Sequence, residues 1–319
     1  MTQVVSLPTI EKALGQVNLV QLMEEGFVAY SQGNVVVPPV GEMIFDEPPG
    51  EAHLKYGFIR GDDYFVVKIA TGFYENVKLG LSSSNGVVLV FSQKTGGIES
   101  VLLDEGHLTN VRTAAAGAVA AKCLAPKLVE RIGIVGAGIQ ARLQLSHLRA
   151  VTDCRAALVW GTGDQKLDAY ARTMASEGFE IETTRHAADL AASCQLIVTA
   201  TPSREPLLWA GDIRPGTHIT AVGSDTPDKT ELDPEVLAKA DVIVADSLSQ
   251  SRSRGEIYQA VKAGVLTERR VVELGAVLQE PSLGRTSDDQ ITVADLTGVA
   301  VQDIQIAKAV LESCRKSSA

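Results

Sequence analysis

The feature that most constrains this chain is Gly136-Ala137-Gly138-Ile139-Gln140-Ala141, a GxGxxA turn set directly between an apolar run at 131–135 and a helical pattern at about 139–150. Strand, glycine turn and helix in that order form the phosphate-binding unit of a dinucleotide fold. Gly136 permits the tight turn, Gly138 lets a pyrophosphate approach the backbone, and Ala141 lets helix and strand pack closely. The N–H groups opening the helix then face the phosphates. Alone, the motif reads equally well as an ordinary turn. Its weight comes from the alternation of strand and helix patterns that follows, at 157–160, 164–176, 180–183, 196–200, 219–222 and 242–245. That alternation predicts an α/β fold with a Rossmann-type, doubly wound parallel sheet.

The second of these strands ends at Gly161-Thr162-Gly163-Asp164. Enzymes using NAD usually place an acid there for the ribose 2′-hydroxyl. Gly161 leaves room for a 2′-phosphate, and although the turn has no Arg to bind one, Lys166 and Arg142 could reach in; this tips the expectation towards NADP, with NAD still open. Thr162 in this turn, Thr201-Pro202 after the strand at 196–200, and Val222 ending the strand at 219–222 are further candidates for lining the cofactor.

Upstream the pattern differs. Asn18 is placed to cap a helix over 19–30, and short β-type runs follow at 35–37, 53–59, 64–69, 87–91 and 99–103 between Pro, Gly and Asp clusters. These predict an antiparallel sheet with a hairpin turn at 94–97. An Ala-rich helix over 112–123 leaves it, and an apolar helix over 301–311 near the C-terminus has no strand partner after it. The formal charge of -10 argues against a nucleic-acid surface. No stretch approaches the roughly 20 apolar residues of a membrane span. The start lacks a signal-peptide pattern, which makes a cytoplasmic enzyme the expectation. Cys123, Cys154, Cys194 and Cys314 are far apart and read as buried thiols, and no His or Cys spacing predicts a metal.

Several separated segments together resemble the ornithine cyclodeaminase and mu-crystallin family: Lys68 in VVKIATGFYENVKLGL, Arg112 in LLDEGHLTNVRTAAAGAVAA, the GAGIQAR turn, Asp225 in VGSDTPDKTEL, Gly255-Glu256 in SRGEIYQAV, and DLTGVAVQD. The resemblance covers almost the whole chain. It implies a β-rich substrate and dimerisation domain built from both chain ends (1–121 with 300–319) around a Rossmann domain (122–299), and a homodimer. It also implies that Lys68 and Arg112 bind the α-carboxylate of a small amino or imino acid, and that Asp225 exchanges protons. Lys68 lies in an apolar strand, where an unpaired charge is costly, so a functional partner is expected for it in place of the role of an ordinary surface Lys. Asp225 without the resemblance reads as a loop residue in a turn. Asn85, Val299 and Asp303 are placed near the site by resemblance alone.

Two positions depart from the family pattern. Lys55 stands where ornithine cyclodeaminases carry a Glu for the distal amine, and Glu42 where many relatives have an Arg. A cation at 55 would repel a distal amine, and the two residues together imply another substrate pose or a pair that shapes the pocket. Three functions follow from the resemblance: an NAD(P)-dependent imine reductase or amino-acid dehydrogenase, a cyclodeaminase that recycles bound NAD+, or a ligand-binding protein like mu-crystallin. Lys55 favours the first.

Overall fold

The computed structural model describes residues 2–318. The chain divides into two compact units, Met1–Arg112 with Val299–Ala319, and Thr113–Gly298.

The first unit is a seven-stranded sheet with helices. Its strands are β1 (Gln3–Ser6), β2 (Val35–Val36), β3 (Gly41–Asp46), β4 (Pro49–Ile59), β5 (Tyr64–Gly72), β6 (Ser84–Ser92) and β7 (Ile98–Leu103). The order is β1-β7-β6-β5-β4-β2, with β3 on β4. One expectation is corrected: the sheet is not wholly antiparallel, because β1 adds to β7 in parallel. The sequence reading had no strand at 3–6 and none at 41–46. β1 is followed at once by the helix Leu7–Leu14, and β3 lies among the Pro and Gly residues that argue for a loop.

Asn18 does cap its helix, Leu19–Ser31, by accepting the Gln21 N–H. The last helix, Ala300–Ser318, packs on β4 and β5 and on the helices Leu7–Leu14 and Leu19–Ser31. Gly26 permits that approach, since a Cβ there would lie 3.0 Å from the Gln305 side chain.

The second unit is a parallel sheet of eight strands: β8 (Ile132–Val135), β9 (Ala156–Trp160), β10 (Glu180–Thr184), β11 (Leu196–Thr199), β12 (His218–Ala221), β13 (Val242–Ala245), β14 (Val271–Glu273) and β15 (Thr292–Asp295). The order is β10-β9-β8-β11-β12-β15-β13-β14. The chain reverses its direction of sheet growth between β8 and β11, which is where doubly wound folds bind ligands at the carboxyl ends of their strands. Residues of β8, β11, β12, β13 and β15 are buried almost throughout, as strands covered on both faces must be. No helix among the described residues is long and apolar enough to cross a membrane. The thiols are less uniformly buried than expected: Cys194 and Cys314 are buried, Cys123 and Cys154 half-buried.

Candidate active site

In the first unit, strand periodicity puts cations into an apolar face. Cross-strand register aligns Lys55 of β4 with Lys68 of β5, Lys68 with Val88 of β6, and Val88 with Leu102 of β7. All four side chains are buried. Two like charges directly opposite one another destabilise a sheet unless an anion joins them. Asp303, in the first turn of helix Ala300–Ser318, is that anion. Its Oδ1 accepts from Lys68 Nζ at 2.8 Å and lies 3.2 Å from Arg112 Nε. Arg112 Nη1 donates to Gln302 Oε1 at 2.7 Å.

The electrostatics follow from burial and charge count. Desolvation pushes the Lys68 ammonium down to about 8, aided by Arg112 and opposed by Asp303. Burial also pushes the Asp303 carboxyl up, but Lys68, Arg112 and Lys55 outweigh it and hold the group below its ordinary range. Asp303 Oδ2, though buried, accepts no hydrogen bond. The partner anticipated for Lys68 is thus within the protein, on a helix 235 residues away. Glu42 lies opposite His53, its carboxylate 3.7 Å from Nδ1, and Asn85 turns its side-chain oxygen back to the Gly86 N–H at 2.7 Å.

In the second unit, the glycine turn has the geometry of a phosphate cradle. Gly136 adopts φ +124, and a Cβ there would meet the Ala200 carbonyl oxygen at 2.8 Å. Its N–H joins the end of β9 at the Trp160 carbonyl. Gly138 and Ile139 are exposed, and a Cβ at Gly138 would meet nothing within 4 Å. Helix Ile139–His147 begins there without a side-chain cap, so its first N–H groups face outward. Ala141 is fully buried, with its carbonyl taken by the Tyr170 hydroxyl. This turn fits the pyrophosphate of a dinucleotide. Thr162 is exposed, whereas Val222, and Val299 in the first unit, are buried apolar residues. Arg185 was not singled out from sequence; it pairs with Asp164 at 2.9 Å beside the end of β9, which only the β9–β10 pairing reveals.

Asp225 follows β12 at the carboxyl edge of the sheet. Its side chain is about half exposed, and Oδ1 lies 2.7 Å from Lys229 Nζ. The loop beneath it is held by buried acids. Glu256 accepts from the Ser224 hydroxyl, the Glu231 N–H and the Thr230 hydroxyl. Gly255, at φ +91, opens the helix Gly255–Lys262, and a Cβ there would sit 2.4 Å from Asp295 Oδ2. Glu231 and Asp295 escaped the sequence reading, because nothing in their spacing marks a buried carboxyl.

Residues 1–318 match the ornithine cyclodeaminase/mu-crystallin family throughout. The chain belongs to this family. It is 41% identical over 303 residues to an uncharacterized cyclodeaminase, y4tK, of Sinorhizobium fredii, covering 94% of this chain and 92% of that one. A solved archaeal alanine dehydrogenase, a dimer with bound NAD, superposes with TM-score 0.91 at 32% identity, over 100% of this chain and 97% of its own. The Delta(1)-pyrroline-2-carboxylate reductase of Thermococcus litoralis, in complex with NADH and L-proline, gives TM-score 0.93 at 30% identity, over 99% and 98%. Family members of this kind are NAD(P)-dependent enzymes of amino-acid chemistry.

Proposed function

We propose that this protein is an NAD(P)-dependent oxidoreductase that reduces the C=N bond of an α-imino acid, or oxidises the corresponding α-amino acid. The observation that carries this reading is the buried row of Lys55, Lys68 and Arg112 around the carboxylate of Asp303. Such a cluster offers charge-assisted hydrogen bonds to one carboxylate in fixed orientation. Lys68 and Arg112 anchor the substrate's α-carboxylate, and Asp303 Oδ2, buried and accepting no hydrogen bond within the protein, would accept from a substrate N–H.

Gly136, Ala137, Gly138, Ile139, Gln140 and Ala141 would hold the pyrophosphate, with Thr162, Thr201, Pro202, Val222 and Val299 bordering the rest of the dinucleotide. When bound, the nicotinamide accepts or supplies the hydride. The carboxylate of Asp225 takes the proton from a substrate ammonium, or returns one to an imine nitrogen, with the Lys229 ammonium 2.7 Å away holding it oriented. Asn85 and Glu42 shape the substrate end of the site.

A second reading is cyclodeamination, favoured by the name of the Sinorhizobium relative. Both reactions need the same cofactor, anchor and proton carrier. Lys55 separates them, because a buried ammonium directly opposite Lys68 repels the distal amine of ornithine and suits a substrate with no such amine or with a second acid group. Following nicotinamide absorbance with a panel of imino acids, beside ornithine and lysine with NAD+ and an ammonia assay, tests this. Steady cofactor consumption with an imine supports reduction; ammonia from ornithine without net consumption supports cyclodeamination.

We also infer a cytoplasmic homodimer. On β3, Met43, Ile44 and Phe45 are exposed on a sheet edge, a liability that a second copy would cover. A monomeric sedimentation profile would refute the dimer.

A further inference from the structure

Glu231 is wholly buried, and its carboxylate is shared between two loops. Oε1 accepts the Thr201 N–H at 2.6 Å, in the segment after β11. Oε2 accepts the Gly223 N–H at 2.8 Å, in the segment after β12, and the Thr199 hydroxyl at 2.7 Å at the end of β11. None of these donors carries a charge. The fit is close enough to fix the residue at 223: a Cβ there would lie 2.1 Å from the Thr201 carbonyl oxygen and 2.5 Å from Glu231 Oε2. Glu256 holds the next residue, Ser224, through its hydroxyl, and holds Glu231 itself through its N–H at 2.7 Å. Asp225 therefore follows two residues that are each tied to a buried carboxyl.

We propose that Glu231 is a positioning residue, a single carboxylate that ties the Thr201 loop to the Gly223–Asp225 loop and so fixes the cofactor-bordering segment relative to the proton carrier. The inference rests on the roles given to Thr201 and Asp225 under the proposed function. A purely structural acid at this place would be an expensive choice, since burying a carboxylate without a cation costs far more than burying a neutral side chain. What the carboxylate provides and an amide does not is acceptance on both oxygens at once. Glutamine in the same volume would face either Thr201 or Gly223 with an N–H, where each already offers one.

The same geometry makes the tie sensitive to protonation. Burial, and then the neighbouring Glu256, push the Glu231 carboxyl up to about 7, against the pull of its hydrogen bonds. Glu256, on helix Gly255–Lys262, is the charged group that pushes it up, and the Glu231 carboxylate accepts from Thr199, Thr201 and Gly223; the loop after β12 also carries Asp225, Asp228 and Lys229, whose charges pair with one another and with Arg204. As pH falls through about 7, a proton on either oxygen meets an N–H donor and the tie loosens.

The test compares wild type with Glu231→Gln by amide hydrogen exchange without dinucleotide, by dinucleotide affinity from cofactor fluorescence, and by the pH profile of kcat. The variant should lose protection at Thr201 and Gly223 by about tenfold or more, bind dinucleotide more weakly, and lack the acid limb near neutrality. Unchanged protection at both amides overturns the proposal, as does an acid limb retained by the variant. If wild type binds no dinucleotide, the proposed function fails, while the exchange measurement still judges the tie. Should Glu231→Gln not fold, Thr199→Val removes one donor and should move the acid limb to higher pH; an unmoved limb overturns the proposal.

Discussion

Replacing Lys68 by Met separates anchoring from stability. Lowering the ammonium from its ordinary 10.5 to about 8 corresponds to roughly 3 kcal/mol disfavouring the charged form in the fold. Met keeps an apolar stem opposite Val88 and removes that penalty. Breaking a buried pair usually costs about 3–5 kcal/mol, because the survivor is left alone. Asp303 is not left alone: Arg112 Nε remains 3.2 Å away, and Lys55 also acts on it. The penalty removed therefore offsets most of the pairing lost, and Lys68→Met should unfold within about 2 kcal/mol of wild type at neutral pH.

Anchoring has no such offset. Loss of one hydrogen bond to a charged group, about 1.5–3 kcal/mol, raises KM for the imino acid roughly 10- to 150-fold. Wild type carries a matching pH signature. Folded Lys68 releases its proton near 8 and the unfolded chain near 10.5, so across that window unfolding takes up a proton and this group's contribution to stability rises with pH. Over the same window wild-type KM should climb, and Lys68→Met should show neither change. Denaturant melts and initial rates across pH give both readouts. A variant with unchanged KM and a stability loss above about 3 kcal/mol would refute the anchoring role.

Arg112→Ala should likewise raise KM by roughly tenfold or more, and an unchanged value in initial-rate assays would remove it from the anchor. Asp225→Asn should lower kcat by about two orders of magnitude or more while leaving dinucleotide affinity intact, because its side chain is about half exposed and its ion pair is with Lys229, four residues along the same loop. Gly136→Ala should abolish dinucleotide binding, since φ +124 and the Ala200 carbonyl at 2.8 Å both exclude a Cβ; fluorescence titration checks it.

The second unit was the more legible from sequence. Its strands at 157–160 and 242–245 and its helix at 164–176 stand within a residue of the observed elements, because buried parallel strands are plain apolar runs. β15 was missed: Thr292–Asp295 is four residues long, mixed in polarity, and looks like loop, yet it lies between β12 and β13. Residue types exposed Lys68 as anomalous, but its partner Asp303 became visible only once the last helix lay on β5. Glu231 gives no signal in one dimension, and Glu256 shows there only as part of a motif, without its bonding partners. Their significance is the set of backbone N–H groups they collect, which exists only after the loops have closed.

The position of β15 also bears on how this chain must come off the ribosome. β13 and β14 pair with each other but reach the rest of their sheet only through Thr292–Asp295. The first unit is in the same position, because Asp303 and the helix covering β4 and β5 lie in the final residues. Synthesis from the N-terminus leaves the first sheet without its covering helix and the second without its joining strand until residues 292–318 emerge. A product cut short before residue 292 would lack the anion for its buried lysines and the strand that joins its parallel sheet.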